Sequence, residues 1–220
     1  MHENTKKRVV IGLSGGVDSS VAALLLKQAG YDVIGVTMLL CEKEGDTSFE
    51  DAAKIAEKLN IPFYGFDFKE EFKEYVIDYF AKEYIEGKTP NPCIECNKHL
   101  KFGLMLKRAK EALNADYIAT GHYAKIQYDE NTNRYYIKES NSAEKDQTYV
   151  LYNLTQEQLK HVLMPLGDYT KAEIRDIAKQ NGFITADKKD SQEICFVPDN
   201  DHTGFIEKKY NHKNIQGDFV

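Results

Sequence analysis

The chain has 220 residues, 42% of them hydrophobic, and a formal net charge of −6. That size suits one large α/β domain, or one domain with a small appendage, and the composition supports a proper buried core. The acidic balance argues against a generally basic nucleic-acid binder and leaves only a local basic patch. With no apolar run of transmembrane length and a short polar start (Met1–Arg8), neither a membrane span nor a signal peptide is expected, and the expected compartment is the cytoplasm.

Arg8-Val9-Val10-Ile11 is a short β-branched run and reads as a buried strand. Gly12-Leu13-Ser14-Gly15-Gly16-Val17-Asp18-Ser19-Ser20 follows, and then a strong helix former, Val21–Lys27, ending near Gly30. Strand, Gly/Ser turn, helix is an anion site. The glycines let the backbone turn tightly and approach a ligand, and the N–H groups of the helix start point at it. Ser14, Ser19 and Ser20 are expected to add hydroxyl donors. The loop is neither a Walker loop nor Gly-x-Gly-x-x-Gly. An ordinary βα turn with Ser and Asp as caps would not need adjacent glycines and three hydroxyls together.

Asp32–Leu40 reads as a second buried strand, which completes a βαβ unit and implies a parallel sheet. Thr47 with Glu50 fits a capping box that opens a helix to about Leu59, with Ala52, Ile55, Ala56 and Leu59 on its apolar face. Pro62–Phe68 is a third strand, and Lys69–Glu86 a long helix carrying Phe72, Val76, Tyr79 and Phe80. Thr89-Pro90-Asn91-Pro92 is stiff and extended, and a helix is expected from near Asn97 to Leu113. Ala115–Thr120 is a fourth strand leading into Gly121-His122-Tyr123. Ala124–Tyr128 and Arg134–Glu139 read as an antiparallel hairpin. Beyond a boundary near residue 145, Asp146–Leu154 looks helical. Thr155 with Gln158, and Thr170 with Glu173, look like capping boxes. The expected fold is α/β: a Rossmann-like parallel sheet with helices on both faces, then a small mostly helical segment. The division is 1–145 for the α/β domain with its hairpin, 146–210 for a helical extension, and 211–220 for the start of a linking region.

Ligands of open parallel sheets bind beyond the carboxyl ends of the strands. That rim carries the Ser14–Ser20 loop, Met38, Cys41 and Gly121. Met38 either packs on a bound base or is plain core, and Gly121 permits close backbone approach. Cys93-Ile94-Glu95-Cys96 sits at a helix start, where the dipole favours thiolate. Cys195 stands in the short apolar run Ile194–Val197. Cysteines in a cytosolic chain are more often catalytic or metal-binding than disulfide-bonded. Cys41 reads as a small buried hydrophobe, and His99 and His122 as structural or peripheral.

Taken in order, Ser14–Ser20, Thr89–Pro92 with Cys96-Asn97-Lys98, Lys101-Phe102, Ala119–Tyr123, Lys145-Asp146-Gln147 and Asp190-Ser191 with Ile194-Cys195-Phe196 resemble the tRNA-specific 2-thiouridylase (MnmA) family of ATP pyrophosphatases. The resemblance covers nearly the whole chain. It implies adenylation of the 2-oxygen of the wobble uridine of tRNA by ATP with Mg2+, and replacement of that oxygen by sulfur from a persulfide carrier protein or a cysteine desulfurase. It further implies ATP contacts at Gly12, Leu13, Ser14, Gly15, Gly16, Val17, Asp18, Ser19, Met38 and Gly121. Target-base contacts fall on Asn91, Pro92 and Cys93, and tRNA contacts on Lys145, Asp146 and Gln147. Cys195 would carry sulfur as a persulfide, and Cys96 would release it and end in a disulfide with Cys195. Many members have Asp where this chain has Cys93. Cys93, Cys96 and Cys195 together are therefore an alternative ligand set for a [4Fe–4S] cluster. Members usually continue past the region that Gln216–Val220 resembles, so a fragment or shortened member is expected. Two rival readings share the loop: an amide-forming ATP pyrophosphatase, which needs no reactive cysteines, and a non-catalytic nucleotide-binding module.

Overall fold

A computed structural model describes residues 6–41, 45–188, 194–197 and 200–210. In Arg8–Gly12 (β1), Val9, Val10 and Ile11 are fully buried, because both faces of the strand are covered. Alternation sends Val10 into one apolar cluster and Val9 and Ile11 into another. Beside β1 run Asp32–Leu39 (β2), Phe63–Asp67 (β3) and Tyr117–Ala119 (β4). Lys125–Asp129 (β5) and Arg134–Lys138 (β6) form the expected antiparallel hairpin apart from the sheet. Val162–Leu163 (β7) then returns to pair with β4. The five-stranded sheet is parallel, in the order β3-β2-β1-β4-β7. The connections diverge between β1 and β4, so their carboxyl ends border the crevice where such sheets bind ligands.

Helices cover both faces, as expected. On one lie Val17–Gln28 (α1) and Ser48–Leu59 (α2), the latter burying Ala52, Ile55, Ala56 and Leu59 as the spacing predicts. The Thr47–Glu50 capping box does not form. Asp46, one residue earlier, accepts from Ser48 N at 2.9 Å, and the Thr47 hydroxyl donates to Asp51 at 3.0 Å. A carboxylate in an Asx turn is the stronger local acceptor.

On the other face lie two long helical runs, α3 (69–85) and α4 (92–113). Each changes to π geometry midway, over Lys73–Asp78 in α3 and Cys96–Leu104 in α4. Phe72, Val76 and Phe80 are buried on α3 and Tyr79 half-buried. The α4 run starts at Pro92, ahead of the predicted Asn97, because Asn91 caps it and proline is well tolerated at the first position.

After a 3-10 turn at Ala143–Lys145, the expected helix over Asp146–Leu154 is replaced by a single 3-10 turn at Thr148–Val150. The Asp146 carboxylate accepts from Ser140 N, Thr148 N and the Thr148 hydroxyl, and these local bonds compete with helix formation. Both later capping boxes form as predicted. They open Gln156–Lys160 (α5) and Lys171–Gln180 (α6). Ile174 and Ala178 of α6 share a cluster with Val21 and Ala22 of α1, and β7 extends the sheet, so the segment after 145 completes the same core. His202–Tyr210 (α7) closes the described chain. Asp190, Ser191 and 211–220 lie outside the described residues. No described helix is long and apolar enough to cross a membrane.

Candidate active site

Beyond β1 the chain keeps contact with β2: Leu13 N donates to Val36 O at 2.8 Å and the Thr37 hydroxyl donates to Leu13 O at 2.7 Å. This anchors the entry to the loop. Gly15 has φ +66°, and a Cβ there would lie 2.4 Å from Ser48 O, so only glycine fits. Gly16 is the N-cap of α1 and offers no side chain, so no cap side chain takes the first-turn N–H groups that a ligand would use. Ser14 and Ser19 pair through their hydroxyls at 3.2 Å. Ser20, expected as a third donor to ligand, is buried and donates to Gly16 O at 2.8 Å, so it braces the turn instead. Leu13 and Val17 are core residues that face a ligand only through backbone.

Asp18 is clasped. Lys171 Nζ lies 2.8 Å from both carboxylate oxygens, and the Tyr123 hydroxyl donates to Oδ1 at 2.7 Å. Gly121 packs against the loop itself: a Cβ there would lie 2.8 Å from Ser19 N. At the other end of the loop, Lys188 Nζ donates to Gly15 O and to Asp51, each at 3.0 Å. The Lys188 hydrogen bond holds the Asp51 carboxyl below its ordinary range. Sequence reasoning missed Lys171, Lys188 and the role of Tyr123. The one available signal was a glycine-rich loop, expected to bind an anion, without a lysine or arginine of its own. Tyr123 is in turn fixed by Gln147, whose Oε1 accepts from Tyr123 N at 3.0 Å and whose N donates to Tyr123 O at 2.9 Å. Of the Lys145-Asp146-Gln147 motif, Asp146 and Gln147 thus spend their side chains internally, and Lys145 is half-buried beside them. Met38 is half-buried against the cluster that Cys41 also touches.

The second constellation lies at the start of α4. Asn91 Oδ1 accepts from Cys93 N at 3.0 Å, Pro92 is buried, and Cys93 is exposed. Cys96 is buried. Desolvation pushes its thiol above the ordinary range, against a lowering by Lys101 and with a further rise from Cys93, so the expected thiolate-favouring effect of the helix start is overturned there. Cys195 is exposed, next to Phe196, which packs edge-on against Phe72 and Phe80 at 5.6 and 5.4 Å. Phe196, Val197 and Cys96 belong to one cluster, so packing carries the Cys195 segment to the face that holds Cys96. Among the described residues no three His, Cys, Asp or Glu side chains group as metal ligands. The three cysteines therefore do not fit a preassembled iron–sulfur ligand set. His99 stacks on Tyr75 and pairs with Glu95. Burial keeps His122 neutral, its pKa well below 6.5, with Nδ1 2.7 Å from the Thr120 hydroxyl. Asn97 is buried and donates to Val150 O at 3.1 Å, while its Oδ1 has no partner.

The sequence profile described as the tRNA methyl transferase HUP domain matches residues 7–199. The chain belongs to this family. Among its relatives, the tRNA-specific 2-thiouridylase MnmA of Clostridioides difficile is 58% identical over 223 residues, covering 97% of this chain and 61% of that protein. The protein of the same name from Clostridium acetobutylicum is 57% identical, covering 97% and 62%. The chain thus spans about three-fifths of the length of the curated relatives it matches. Among solved structures, a 4-thiouridine synthetase–RNA complex with bound ATP aligns with TM-score 0.57 at 18% identity, covering 83% of this chain and 43% of that one. NMN synthetase from Francisella tularensis aligns with TM-score 0.51 at 18% identity, covering 85% and 67%. At such identities these two share the fold, which is the Rossmann-like parallel α/β sheet expected from the sequence.

Proposed function

We propose that this protein is a cytoplasmic tRNA 2-thiouridylase that uses ATP to replace the 2-oxygen of the wobble uridine by sulfur. The observation that carries the reading is the packing of the Cys195 segment into the cluster holding Cys96, in a chain that also builds an anion loop. An amide-forming relative shares the loop and has no use for the cysteines.

The uracil 2-oxygen is a poor leaving group. Attack of that oxygen on the α-phosphorus of ATP forms a P–O bond, breaks the bond to the β-phosphate, and sends the electron pair out with pyrophosphate. The first-turn N–H groups of α1 with Ser14 and Ser19 bind the phosphates, Gly121 keeps β4 close to the loop, and Met38 borders the base. Asp18 would hold Mg2+ once Lys171 is displaced from its oxygens, since a single carboxylate is enough for an ion that arrives with phosphate and water ligands, and the ion would screen phosphate charge. A persulfide on Cys195, supplied by a carrier protein or a cysteine desulfurase, then attacks C2. The C–O bond breaks and AMP departs. Cys96 attacks the inner sulfur of Cys195, the S–S bond breaks, the thiocarbonyl stays on uracil, and a Cys96–Cys195 disulfide forms for reduction by a thiol. The raised thiol pKa of Cys96 suits a group that must not attack the persulfide early. Asn91, Pro92 and Cys93 border the target base, and Lys145-Asp146-Gln147 the tRNA. In this reading 1–145 activates the uridine, 146–210 carries Cys195, and 211–220 opens a linking region.

The test is ATP-dependent thiolation of unmodified tRNA with a persulfide donor. Cys96→Ser and Cys195→Ser should each abolish thiolation, yet release pyrophosphate with tRNA. Full thiolation by Cys195→Ser, or pyrophosphate release driven by a small acid and ammonia instead of tRNA, would overturn the reading.

A further inference from the structure

The loop Gly12–Ser20 contains no lysine or arginine. Backbone N–H groups can cradle a phosphate, but a departing pyrophosphate concentrates charge that a fixed cation must meet. The loop moreover carries an anion, Asp18, in the first turn of α1, where a bare carboxylate would repel the ligand that the turn attracts. Two ammonium groups from distant parts of the chain resolve both problems. Lys171 Nζ bridges both oxygens of Asp18 at 2.8 Å, and Lys188 Nζ sits 3.0 Å from Gly15 O. They bracket the uncapped turn from its two ends. The Lys171 side chain is 14% exposed and Asp18 29%, so this pair is largely withdrawn from water, unlike an ordinary surface ion pair. Lys171 is also held at its base, as the first residue of α6 behind the Thr170–Glu173 capping box.

We propose that Lys171 and Lys188 are the pyrophosphate-binding cations of this site, Lys171 being held on Asp18 until the anion, or a cation accompanying it, takes its place there. The inference rests on the ATP half of the reading above and is independent of the sulfur half. Asp18 then has a second duty: it keeps an ammonium group aimed at the loop. Tyr123, hydrogen-bonded to the same carboxylate and fixed by Gln147, is a positioning residue for that arrangement.

The experiment is calorimetric binding of inorganic pyrophosphate, and separately of adenosine, to the full chain without tRNA. Lys171→Met and Lys188→Met should each weaken pyrophosphate binding about tenfold or more, as expected for loss of a charge-assisted contact, and leave adenosine binding unchanged. Lys171→Arg should stay within a few-fold of the unaltered chain. If Lys171 only tethers α6 to α1, Lys171→Met will lower the melting temperature and leave pyrophosphate affinity as it was, which overturns the proposal. Should that variant fail to fold, Lys171→Met in an Asp18→Asn background removes the orphaned carboxylate. Equal pyrophosphate affinity of that double variant and Asp18→Asn alone would also overturn it, as would no pyrophosphate binding by the unaltered chain. Because no tRNA is present, failure to thiolate tRNA leaves this proposal standing, and its failure leaves the thiolation test intact.

Discussion

The glycine-rich loop and the cysteine segment both sit at helix starts, and they are built in opposite ways. At α1 the cap is a glycine with no side chain, so the first-turn N–H groups remain for a ligand, while the surrounding side chains are tied to one another. At α4 the cap is Asn91, whose carbonyl takes the Cys93 N–H, and the thiol one turn further in is desolvated. The difference shows why a helix start does not by itself set chemistry. The macrodipole is worth about 0.3–1 kcal/mol near the terminus. Full burial can move a titratable group by several pKa units, each worth about 1.4 kcal/mol. At Cys96 burial wins, and at Gly16 no cap side chain takes the N–H groups.

The largest effect should come from breaking the glycine half of that contrast. Gly15→Ala places a methyl group against the Ser48 backbone and forces a left-handed residue, so pyrophosphate release should fall about a hundredfold or more through lost orientation. Gly16→Ala, whose Cβ meets only Ser14 Oγ at 3.4 Å, should lose much less. Equal losses in the two variants would remove the claim that Gly15 is set by the close approach of α2.

On the cysteine side, Asn97→Ala strips Val150 O of its buried donor. It should cost about 1–3 kcal/mol in denaturant unfolding, the usual range for orphaning a buried polar group. An unchanged midpoint would show that α4 does not depend on the turn at Thr148–Val150.

His122 links the two regions, since it follows the Gly121 that touches the loop and lies 5.8 Å from the Phe102 ring of α4. Its folded pKa is depressed by burial and then by Lys101, so below pH 6.5 the unfolded chain takes up a proton that the folded chain refuses. Stability should fall by about 1.4 kcal/mol per pH unit below 6.5, until the folded pKa is reached. His122→Gln should remove that part of the slope, and an unaltered pH profile would contradict a neutral buried imidazole.

The smallest effects concern caps. Thr155→Ala and Thr170→Ala should each cost about 1 kcal/mol, whereas Thr47→Ala, which removes no cap hydrogen bond, should cost only about a few tenths. Comparable losses at all three positions would show that Thr47 caps α2 in solution.

Whatever depends on near neighbours along the chain is readable from the residues alone. The β-branched run Val9–Ile11, the glycine-rich turn and the alanine- and leucine-containing helix after it define the strand, loop and helix, because backbone freedom and apolar spacing act within a few residues. The apolar spacing of α2 and the two threonine boxes at α5 and α6 were legible for the same reason, whereas the Thr47–Glu50 pattern gives no box because Asp46 competes locally. Which distant groups meet depends on how the whole chain packs. Lys171 and Lys188 reach the loop across 153 and 173 positions of the chain, and no local pattern encodes such a pairing. The two-residue strand β7 is too short to carry a periodic signal, and the π geometry of α3 and α4 departs from the 3.6-residue spacing used to read helices. The protonation of Cys96 and His122 likewise followed from burial, because the cost of charging a group is set by what packs around it.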